Sequence, residues 1–415
     1  MSASPKPIAP ALPARRTFLP FALPDIGDRE IDAVTAVLRS GWLTTGPEVQ
    51  AFEKEFAAAV GVGHAVAVNS CTAALHLGLE ALGLGRGDEV LTSTMTFTAT
   101  AEVVEYLGAR TRFVDVEPGT LNMSPAGVRR VIASEYRRSG DGWRHHQSGA
   151  RLKAIVPVHF AGHLADMAGF VALGEELGVA VLDDAAHAFP AGRNGRGVGA
   201  FGCPTAFSFY ATKTMTTAEG GMLTTDDGEL AARVRLMALH GISRDAWKRY
   251  TAEGTWFYEV VEAGYKYNLT DMAAAMGRVQ LARAGEMLAR RSRIADAYRA
   301  AFDGSAQLEV PGTESGVEHA WHLYPLQLRL TGLRIDRAAF IEELRARNIG
   351  ASVHFIPLHR QPFYRDRYGY QAKDFPVAEE AYPRLVSLPI YSRMTDEDVQ
   401  DVVAAVGDIC DRHRS

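Results

Sequence analysis

The sequence predicts an α/β protein: a large domain with a mostly parallel central sheet flanked by helices, followed by a smaller C-terminal α+β domain. Between residues 65 and 183, short apolar runs alternate with segments whose apolar residues recur at helical spacing. This order favours parallel strands, because each crossover between them needs a connection of helix length. After a long helix rich in alanine and arginine, strands and helices mix without that order. We expect three parts: a disordered lead-in at 1–16, a large domain at 17–280, and a connector helix with the small domain at 281–415.

The composition argues against several classes of protein. The chain has 415 residues, 47% of them hydrophobic, which is enough for a large buried core in more than one domain. A net charge of −5 gives no sign of nucleic-acid or membrane-surface binding. No apolar run reaches membrane-spanning length and the first residues lack the apolar middle of a secretory signal, so we expect a cytoplasmic protein. Three separate cysteines without a CxxC motif argue against disulfides and against a zinc site.

The elements follow in order along the chain. Helical spacing appears first, in two segments at 29–38 and 49–60. The alternation after them predicts strands at 65–68, 89–91, 111–116, 154–158 and 179–183. The helices between and after these strands are predicted at 72–82, 98–107, 125–136 and 167–177. The C-terminal part is predicted to contain a connector helix at 281–302, strands at 321–330 and 351–356, and helices at 337–347 and 396–410.

One segment, Ser139 to Arg151, interrupts the alternation. It is polar and contains glycine, arginine and the adjacent pair His145 and His146. Two neighbouring histidines are compatible with a metal site, but the composition favours a surface insertion.

Lys213 and Asp184 are the residues that carry the strongest chemical signal. A lysine amine can hold an aldehyde as an imine, and Lys213 lies among small and hydroxylic residues. Asp184 ends an apolar strand, where a buried carboxylate needs a cationic partner such as a pyridinium nitrogen. Pyridoxal phosphate (PLP) needs both groups, since it is an electron sink only while its ring nitrogen is protonated. Taken alone, Asp184 is equally well explained as a helix cap.

Further residues are suited to the remaining parts of such a cofactor. The segment 69–75 follows a strand and begins a helix, where backbone N–H groups and the Thr72 hydroxyl suit a phosphate, with Ser208 as a second hydroxyl. His187 is placed to bond a ring oxygen, and Phe97 follows a strand end, where an aromatic side chain can stack on the ring. Each of these residue types is more often structural, so the inference depends on the whole group.

The order of motifs along the chain resembles a known family. The motifs are Ser-x-Thr-Ala-Ala-Leu, Thr-Phe-x-Ala-Thr, Asp-Ala-Ala-His-Ala, Ser-Phe-x-x-x-Lys and Glu-Gly-Gly. The sequence is similar to the sugar aminotransferases of the DegT/DnrJ/StrS family, which are fold-type I PLP enzymes. The resemblance extends from Gly41 to Thr395, nearly the whole chain. It therefore implies the fold-type I PLP-dependent transferase fold.

The resemblance also implies a role for each site residue. Lys213 would form the internal aldimine and move the proton between the amino acid and the cofactor. Asp184 would pair with the pyridine nitrogen, His187 would contact the ring oxygen, and Phe97 would stack on the ring. The residues expected to hold the phosphate are Cys71, Thr72, Ser208 and, from a neighbouring subunit, Asn268 in preference to Lys266. A homodimer with shared active sites is thereby implied.

The implied reaction is a two-step aminotransfer with ping-pong kinetics. L-Glutamate would leave as 2-oxoglutarate, and the aminated cofactor would then aminate a ketosugar linked to a nucleotide diphosphate. Cys71 and Ala218, where many members have glycine, resemble the branch that makes UDP-4-amino-4-deoxy-L-arabinose, as do the segments 240–245 and 264–270. In that branch, the position of His359 matches a histidine near the sugar.

Several alternatives remain open from the sequence. His159, His163 and Tyr324 are candidates for lining the pocket, with structural roles equally open. Other PLP chemistry, such as dehydration, is one alternative reaction, although related dehydratases carry histidine in place of Lys213. A regulatory relative without catalysis is the other alternative, and the retained site residues argue against it.

Overall fold

The computed structural model describes residues 14–140, 142–242 and 257–415. The expected disordered lead-in therefore lies, up to residue 13, outside the described residues, as does the second half of the 240–245 segment. Arg15 is described, and its guanidinium pairs with Asp398 at 2.5 Å and with Asp401. Among the described residues, none of the helices is long and apolar enough to cross a membrane.

Two helices precede the first strand: α1 (Asp28–Ser40) and α2 (Pro47–Val60). The start of α2 is capped from a distance, because the Asp271 carboxylate accepts the N–H groups of Gly46 at 2.7 Å and Val49 at 3.1 Å. This contact fixes the helical N-terminal segment against the long helix that Asp271 begins.

The large sheet and its helices follow the predicted alternation. The strands up to residue 225 are β1 (His64–Val68), β2 (Asp88–Ser93), β3 (Arg110–Val114), β4 (Tyr136–Ser139), β5 (Gly142–His145), β6 (Arg151–Val156), β7 (Ala180–Val181), β8 (Asp183–Asp184), β9 (Gly192–Arg193), β10 (Arg196–Gly197), β11 (Thr205–Ser208) and β12 (Gly221–Thr225). The helices in and after this region are α3 (Cys71–Ala81), α4 (Ala99–Tyr106), α5 (Pro125–Glu135), α6 (Met167–Leu177) and α7 (Gly228–Ala238).

The stretch formed by β7 and β8 is the central strand of this sheet. Its N–H groups point alternately to both sides, from Leu182 and Asp184 to the chain at β6, and from Asp183 and Ala185 to the chain at β11. The strand order is therefore β3-β2-β6-β7/β8-β11-β12-β1, in which β12 alone runs against the others. This arrangement confirms the α/β fold with a mostly parallel sheet.

The polar segment Ser139 to Arg151 forms the β4–β5 hairpin and the turn after it. Tyr136 pairs with His145, and Arg144 pairs with Arg151 at the start of β6. The hairpin therefore joins the sheet at the amino-terminal end of β6, away from the carboxyl ends of the parallel strands.

The long helix α8 (Asp271–Phe302) begins ten residues before the predicted connector at 281–302. Its start is set by Thr270, whose hydroxyl accepts the N–H of Ala273 at 3.3 Å. The first half of α8 belongs to the core of the large sheet through Ala284 and Met287, and the second half belongs to a separate C-terminal core. The prediction therefore missed the first ten residues of the helix, which pack with the large sheet.

The C-terminal core surrounds a small antiparallel sheet. Its strands are β13 (Leu308–Glu309), β15 (Tyr324–Leu328) and β16 (Leu385–Leu388), while β14 (Val317–Glu318) pairs with β9. Its helices are α9 (Arg337–Ala346), α10 (Pro362–Tyr368), α11 (Pro376–Ala381) and α12 (Asp396–Arg412).

The strand predicted at 351–356 is wrong. Only Ser352 pairs with the sheet, exchanging backbone hydrogen bonds of 3.1 and 2.8 Å with Ser387. The chain then leaves the sheet, so that Phe355 packs against His187 of the large domain. An apolar run that looks like a strand thus serves as a bridge between the two cores.

Candidate active site

Asp184 and Ser208 end the neighbouring parallel strands β8 and β11, and the site is built around this edge. Ligands of open α/β sheets bind at such carboxyl ends, where the strands stop and loops and helix starts converge. The Asp184 carboxylate is buried and accepts two hydrogen bonds, from the Thr100 hydroxyl at 2.7 Å and from the Ala186 N–H at 3.1 Å. Burial nevertheless raises the pKa of Asp184, because neither donor supplies a positive charge.

Lys213 lies in the turn after β11, where its N–H bonds the carbonyl of Tyr210 at 2.9 Å. Its Nζ lies 3.5 Å from Nε2 of His322. Burial lowers the pKa of Lys213 to about 8, and the charges of Cys71 and Asp184 oppose that shift only in part. The amine is therefore available as a base and nucleophile at mildly alkaline pH.

Three rings form a chain of contacts that begins beside the amine. The His187 ring lies 4.3 Å from that of His322 and 5.7 Å from that of Phe355, measured between centroids. Burial, reinforced by the charge of Lys213, holds the pKa values of His187 and His322 well below the usual range. Both imidazoles are therefore neutral at pH 7.

His322 and Phe355 line the candidate site although the sequence did not predict them there. Both lie in segments predicted as strands of the small domain, and their spacing to Lys213 carries no local signal. The one local signal in the sequence is that His322 is a histidine within the largely apolar segment 321–330.

The segment 69–75 forms the start of α3, as expected for a phosphate-binding loop. The cap is Ser70, whose hydroxyl accepts the Ala73 N–H at 3.1 Å, so the Thr72 hydroxyl is not used as the cap. Burial raises the pKa of the Cys71 thiol well above its usual range, so Cys71 offers its backbone N–H rather than a thiolate. A Cβ at Gly221 would lie 2.6 Å from the Cys71 nitrogen, so β12 can pack here only with glycine.

Phe97 and Ser208 border the same space. The Phe97 side chain is 59% exposed although it is aromatic, and its ring centroid lies 6.2 Å from that of Phe355. An exposed ring beside a buried cluster leaves one face open for a flat partner. The Ser208 hydroxyl makes a weak contact of 3.4 Å with the N–H of Tyr210.

Asn268 lies next to the segment 69–75 of its own chain, and no hydrogen bond joins it to Lys213 among the described residues. Its amide donates to the Thr45 hydroxyl at 2.8 Å, and its neighbour Tyr267 accepts the N–H of Asn69 at 2.7 Å. Asn268 also lines an open, largely apolar cavity of about 350 Å³ beside Met272 and Met276.

His359 is held entirely within the protein. Its Nδ1 lies 2.6 Å from the Thr94 hydroxyl, its Nε2 lies 2.7 Å from Oε1 of Glu379, and its ring stacks on Phe375. Both ring nitrogens thus have partners, which leaves no free nitrogen for a sugar.

The other three candidates for the pocket wall also have structural contacts. His159 accepts the N–H of Ala165 at 3.0 Å, and its Nε2 lies 2.9 Å from Oδ1 of Asp183. His163 lies 3.2 Å from the amide of Asn122, and Tyr324 is buried in the C-terminal core.

The arrangement fits pyridoxal phosphate. The fit depends on a buried carboxylate that lacks a cationic hydrogen-bond partner among the described residues, an amine of lowered pKa, and an exposed aromatic ring. A protonated ring nitrogen would supply the missing charge at Asp184, and the start of α3 suits a phosphate dianion.

Comparison with known proteins agrees with this geometry. The model of the DegT/DnrJ/EryC1/StrS aminotransferase family matches residues 24–407. The spore coat polysaccharide biosynthesis protein SpsC of Bacillus subtilis (strain 168) is 48% identical over 396 residues, covering 95% of this chain and 98% of SpsC.

Solved structures are similar over almost the whole chain. Spr1654 from Streptococcus pneumoniae, solved in a PLP-form and a PMP-form, superposes with a TM-score of 0.84 at 30% identity; its PMP-form covers 95% of this chain and 98% of that one. PseC of Helicobacter pylori, an aminotransferase involved in the biosynthesis of pseudoaminic acid, gives a TM-score of 0.85 at 26% identity, covering 96% and 100%. The protein therefore belongs to the DegT/DnrJ/EryC1/StrS aminotransferase family.

Proposed function

We propose that the protein transfers the amino group of L-glutamate to a ketosugar linked to a nucleotide diphosphate. The observation that carries the proposal is the convergence of Lys213, Asp184 and His187 at one edge of the sheet, with an amine of lowered pKa facing a buried carboxylate. The glutamate donor and the nucleotide-linked acceptor are supported by the motif resemblance along the chain.

The cofactor is pyridoxal phosphate, which when bound supplies an electron sink and a carrier for the amino group. Lys213 Nζ would move a proton between the amino-acid carbon that bears the amino group and the cofactor. The Asp184 carboxylate, oriented by Thr100, would hold a positive charge at the ring nitrogen. His187 would bond the ring oxygen, and Phe97 would cover the ring face.

For the phosphate, we propose the N–H groups of Cys71 and Thr72 and the hydroxyls of Thr72 and Ser208. Asn268 of a second copy would complete this site in a homodimer. Exposed apolar side chains on α1, Ile31 and Leu38, support a partner surface on this side of the molecule.

We propose that the protein acts in the cytoplasm on the nucleotide-linked ketosugar. Three free, buried cysteines support a reducing compartment. We propose that His359 shapes the wall of the site without bonding the sugar, because Thr94 and Glu379 occupy its nitrogens. That the protein belongs to the branch that makes UDP-4-amino-4-deoxy-L-arabinose stays a prediction.

The experiment that tests the function is a two-stage assay on the purified protein with pyridoxal phosphate. In the first stage, excess L-glutamate alone is expected to remove the visible absorption band of the bound cofactor and to release 2-oxoglutarate. In the second stage, a panel of nucleotide-linked ketosugars is added, and aminated product is detected by mass spectrometry. Lys213→Ala is the matched control and is expected to lose both stages. A protein that binds the cofactor but aminates no sugar in the panel contradicts the proposal.

A further inference from the structure

We propose that His322 is the hydrogen-bond partner that holds the Lys213 amine whenever that amine is free, and that Arg291 is the positioning residue that sets His322 in place. The inference deepens the proposed function and rests on it, since it assigns a residue from the C-terminal core to the reacting lysine.

The contacts of His322 point to Lys213. The imidazole is buried, and its Nε2 lies 3.5 Å from Lys213 Nζ. Its other nitrogen, Nδ1, is buried without a hydrogen-bond partner among the described residues. Burying an imidazole with one unpaired nitrogen costs free energy. The contact with Lys213 is the only side-chain hydrogen bond of His322 among the described residues, and it offsets part of that cost. A purely structural histidine would be expected to form a second hydrogen bond that holds its ring, and His322 forms none among the described residues.

Arg291 fixes the backbone that carries His322. This arginine on α8 is 3% exposed, and its Nη1 donates to the carbonyls of Trp321 at 3.0 Å and Ile390 at 2.8 Å. It forms no salt bridge with a carboxylate in the described part of the chain, and burial lowers the pKa of Arg291 to about 10. An unpaired buried guanidinium is expensive. Arg291 instead donates to the carbonyls of Trp321, His322 and Ile390, so it holds the backbone on both sides of the His322 side chain.

The charges around His322 keep it a hydrogen-bond acceptor. The titratable groups that face it are Lys213, His187, His354 and Arg291, and each of them disfavours a protonated ring. The proton therefore remains on Lys213, and no proton transfer to His322 is needed. The Lys213 ammonium thus donates one N–H to Nε2 of His322.

The test measures Lys213 itself in the full-length, cofactor-free protein. The neighbour Spr1654 was solved in an apo-form, which supports the feasibility of such a preparation. Trace acylation of lysines is followed across pH, and the Lys213 peptide is quantified by mass spectrometry. His322→Phe removes the acceptor, so the ammonium loses a charged hydrogen bond. The labelling midpoint of Lys213 is expected to fall by about one pH unit, which is about tenfold in its acid dissociation constant.

Two further variants make the result specific. His322→Gln keeps an acceptor, so its labelling midpoint is expected to lie close to that of the wild type. The His322→Asn side chain is too short to reach Lys213, so its midpoint is expected to fall as in His322→Phe. His322→Asn replaces His322→Phe in the test if the phenylalanine variant does not fold. Arg291→Lys, which reaches fewer carbonyls, is expected to shift the midpoint in the same direction by a smaller amount. A labelling curve for a folded His322→Asn or His322→Phe protein that superimposes on the wild-type curve overturns the inference.

Failure of this inference is distinct from failure of the proposed function. The labelling experiment uses neither glutamate nor a sugar, so it reports on the Lys213–His322 pair alone. If labelling shifts but the wild type aminates no sugar, the pair stands and the function falls. If the wild type aminates sugars and labelling does not shift, the function stands and His322 is structural.

Discussion

The Thr100 hydroxyl donates a 2.7 Å hydrogen bond to Oδ2 of Asp184, linking the first turns of α4 to the end of the central strand. Thr100 is itself in contact with the Thr96 hydroxyl at 2.8 Å, so the donor is oriented before any ligand arrives. The carboxylate that we propose for the ring nitrogen is thus oriented by a helix that follows a different strand.

Thr100→Val is expected to reduce aminotransfer without unfolding the protein. The anion at Asp184 loses one of its two hydrogen bonds, a loss of about 1.5–3 kcal/mol, and the pKa of Asp184 rises further. We expect kcat/KM to fall about tenfold or more, in line with that loss. Thr98→Val, two residues earlier, is the control. Equal activity of the two variants would contradict this role for Thr100.

Lys213→Met is expected to stabilise the cofactor-free protein at neutral pH. Burial lowers the folded-state pKa of Lys213 to about 8, below the unfolded value of about 10.4. Below pH 8 the folded state carries the cost of a buried ammonium, and stability rises as pH increases from about 8 to about 10.4, because the unfolded state then binds more protons. The gain of the variant should therefore be largest below pH 8 and vanish above pH 10.4. Thermal melts across pH measure it, and Lys266→Met, at an exposed position, should show no such trend.

Acid is expected to destabilise the protein below pH 6.5. Burial is the largest cause that lowers the pKa of a group of histidines, namely His76, His163, His187, His319, His322, His354 and His359. As pH falls below 6.5, the histidines bind protons in the unfolded state but not in the folded state, so the free energy of unfolding decreases. Each unit of pKa lowering contributes at most about 1.4 kcal/mol to this loss. Denaturant unfolding at pH 7 and pH 5 measures it, and equal stabilities would count against buried neutral histidines.

Gly221→Ala is expected to damage the phosphate-binding loop. The added methyl group would lie 2.6 Å from the Cys71 nitrogen, so either β12 or the start of α3 must move. We expect a loss of about 1–3 kcal/mol in stability and weaker cofactor binding. Gly285→Ala is the matched control, because its site on α8 is open and alanine favours a helix there. Cofactor titration and melting of the two variants separate the local effect from a general one.

His359→Ala is expected to lower stability more than substrate affinity. The variant leaves the Thr94 hydroxyl without its partner, leaves Glu379 with Arg360 alone, and removes a ring stacked on Phe375, a loss of about 2–4 kcal/mol. The KM for the sugar should change less than about twofold, since the ring has no free nitrogen to offer. A large rise in KM with unchanged stability would instead support a direct contact with the sugar.

The sequence determined the sheet and one half of the site. Strands of a parallel sheet end at the same edge, and Asp184 lies at a predicted strand end. Ser208 was predicted from its motif, and the neighbouring strand β11 that it ends was not predicted. The same reasoning brings the start of α3, with Cys71 and Thr72, to that edge.

Only the tertiary structure decided the other half, because packing between two cores has no local periodicity. His322 and Phe355 reach Lys213 and His187 because Arg291 on the shared helix α8 fixes one segment and the chain after Ser352 leaves its sheet. An apolar run reads the same in sequence whether it continues along a strand or crosses to another core. Burial, a property of the assembled chain, likewise set the pKa values of Asp184 and Lys213.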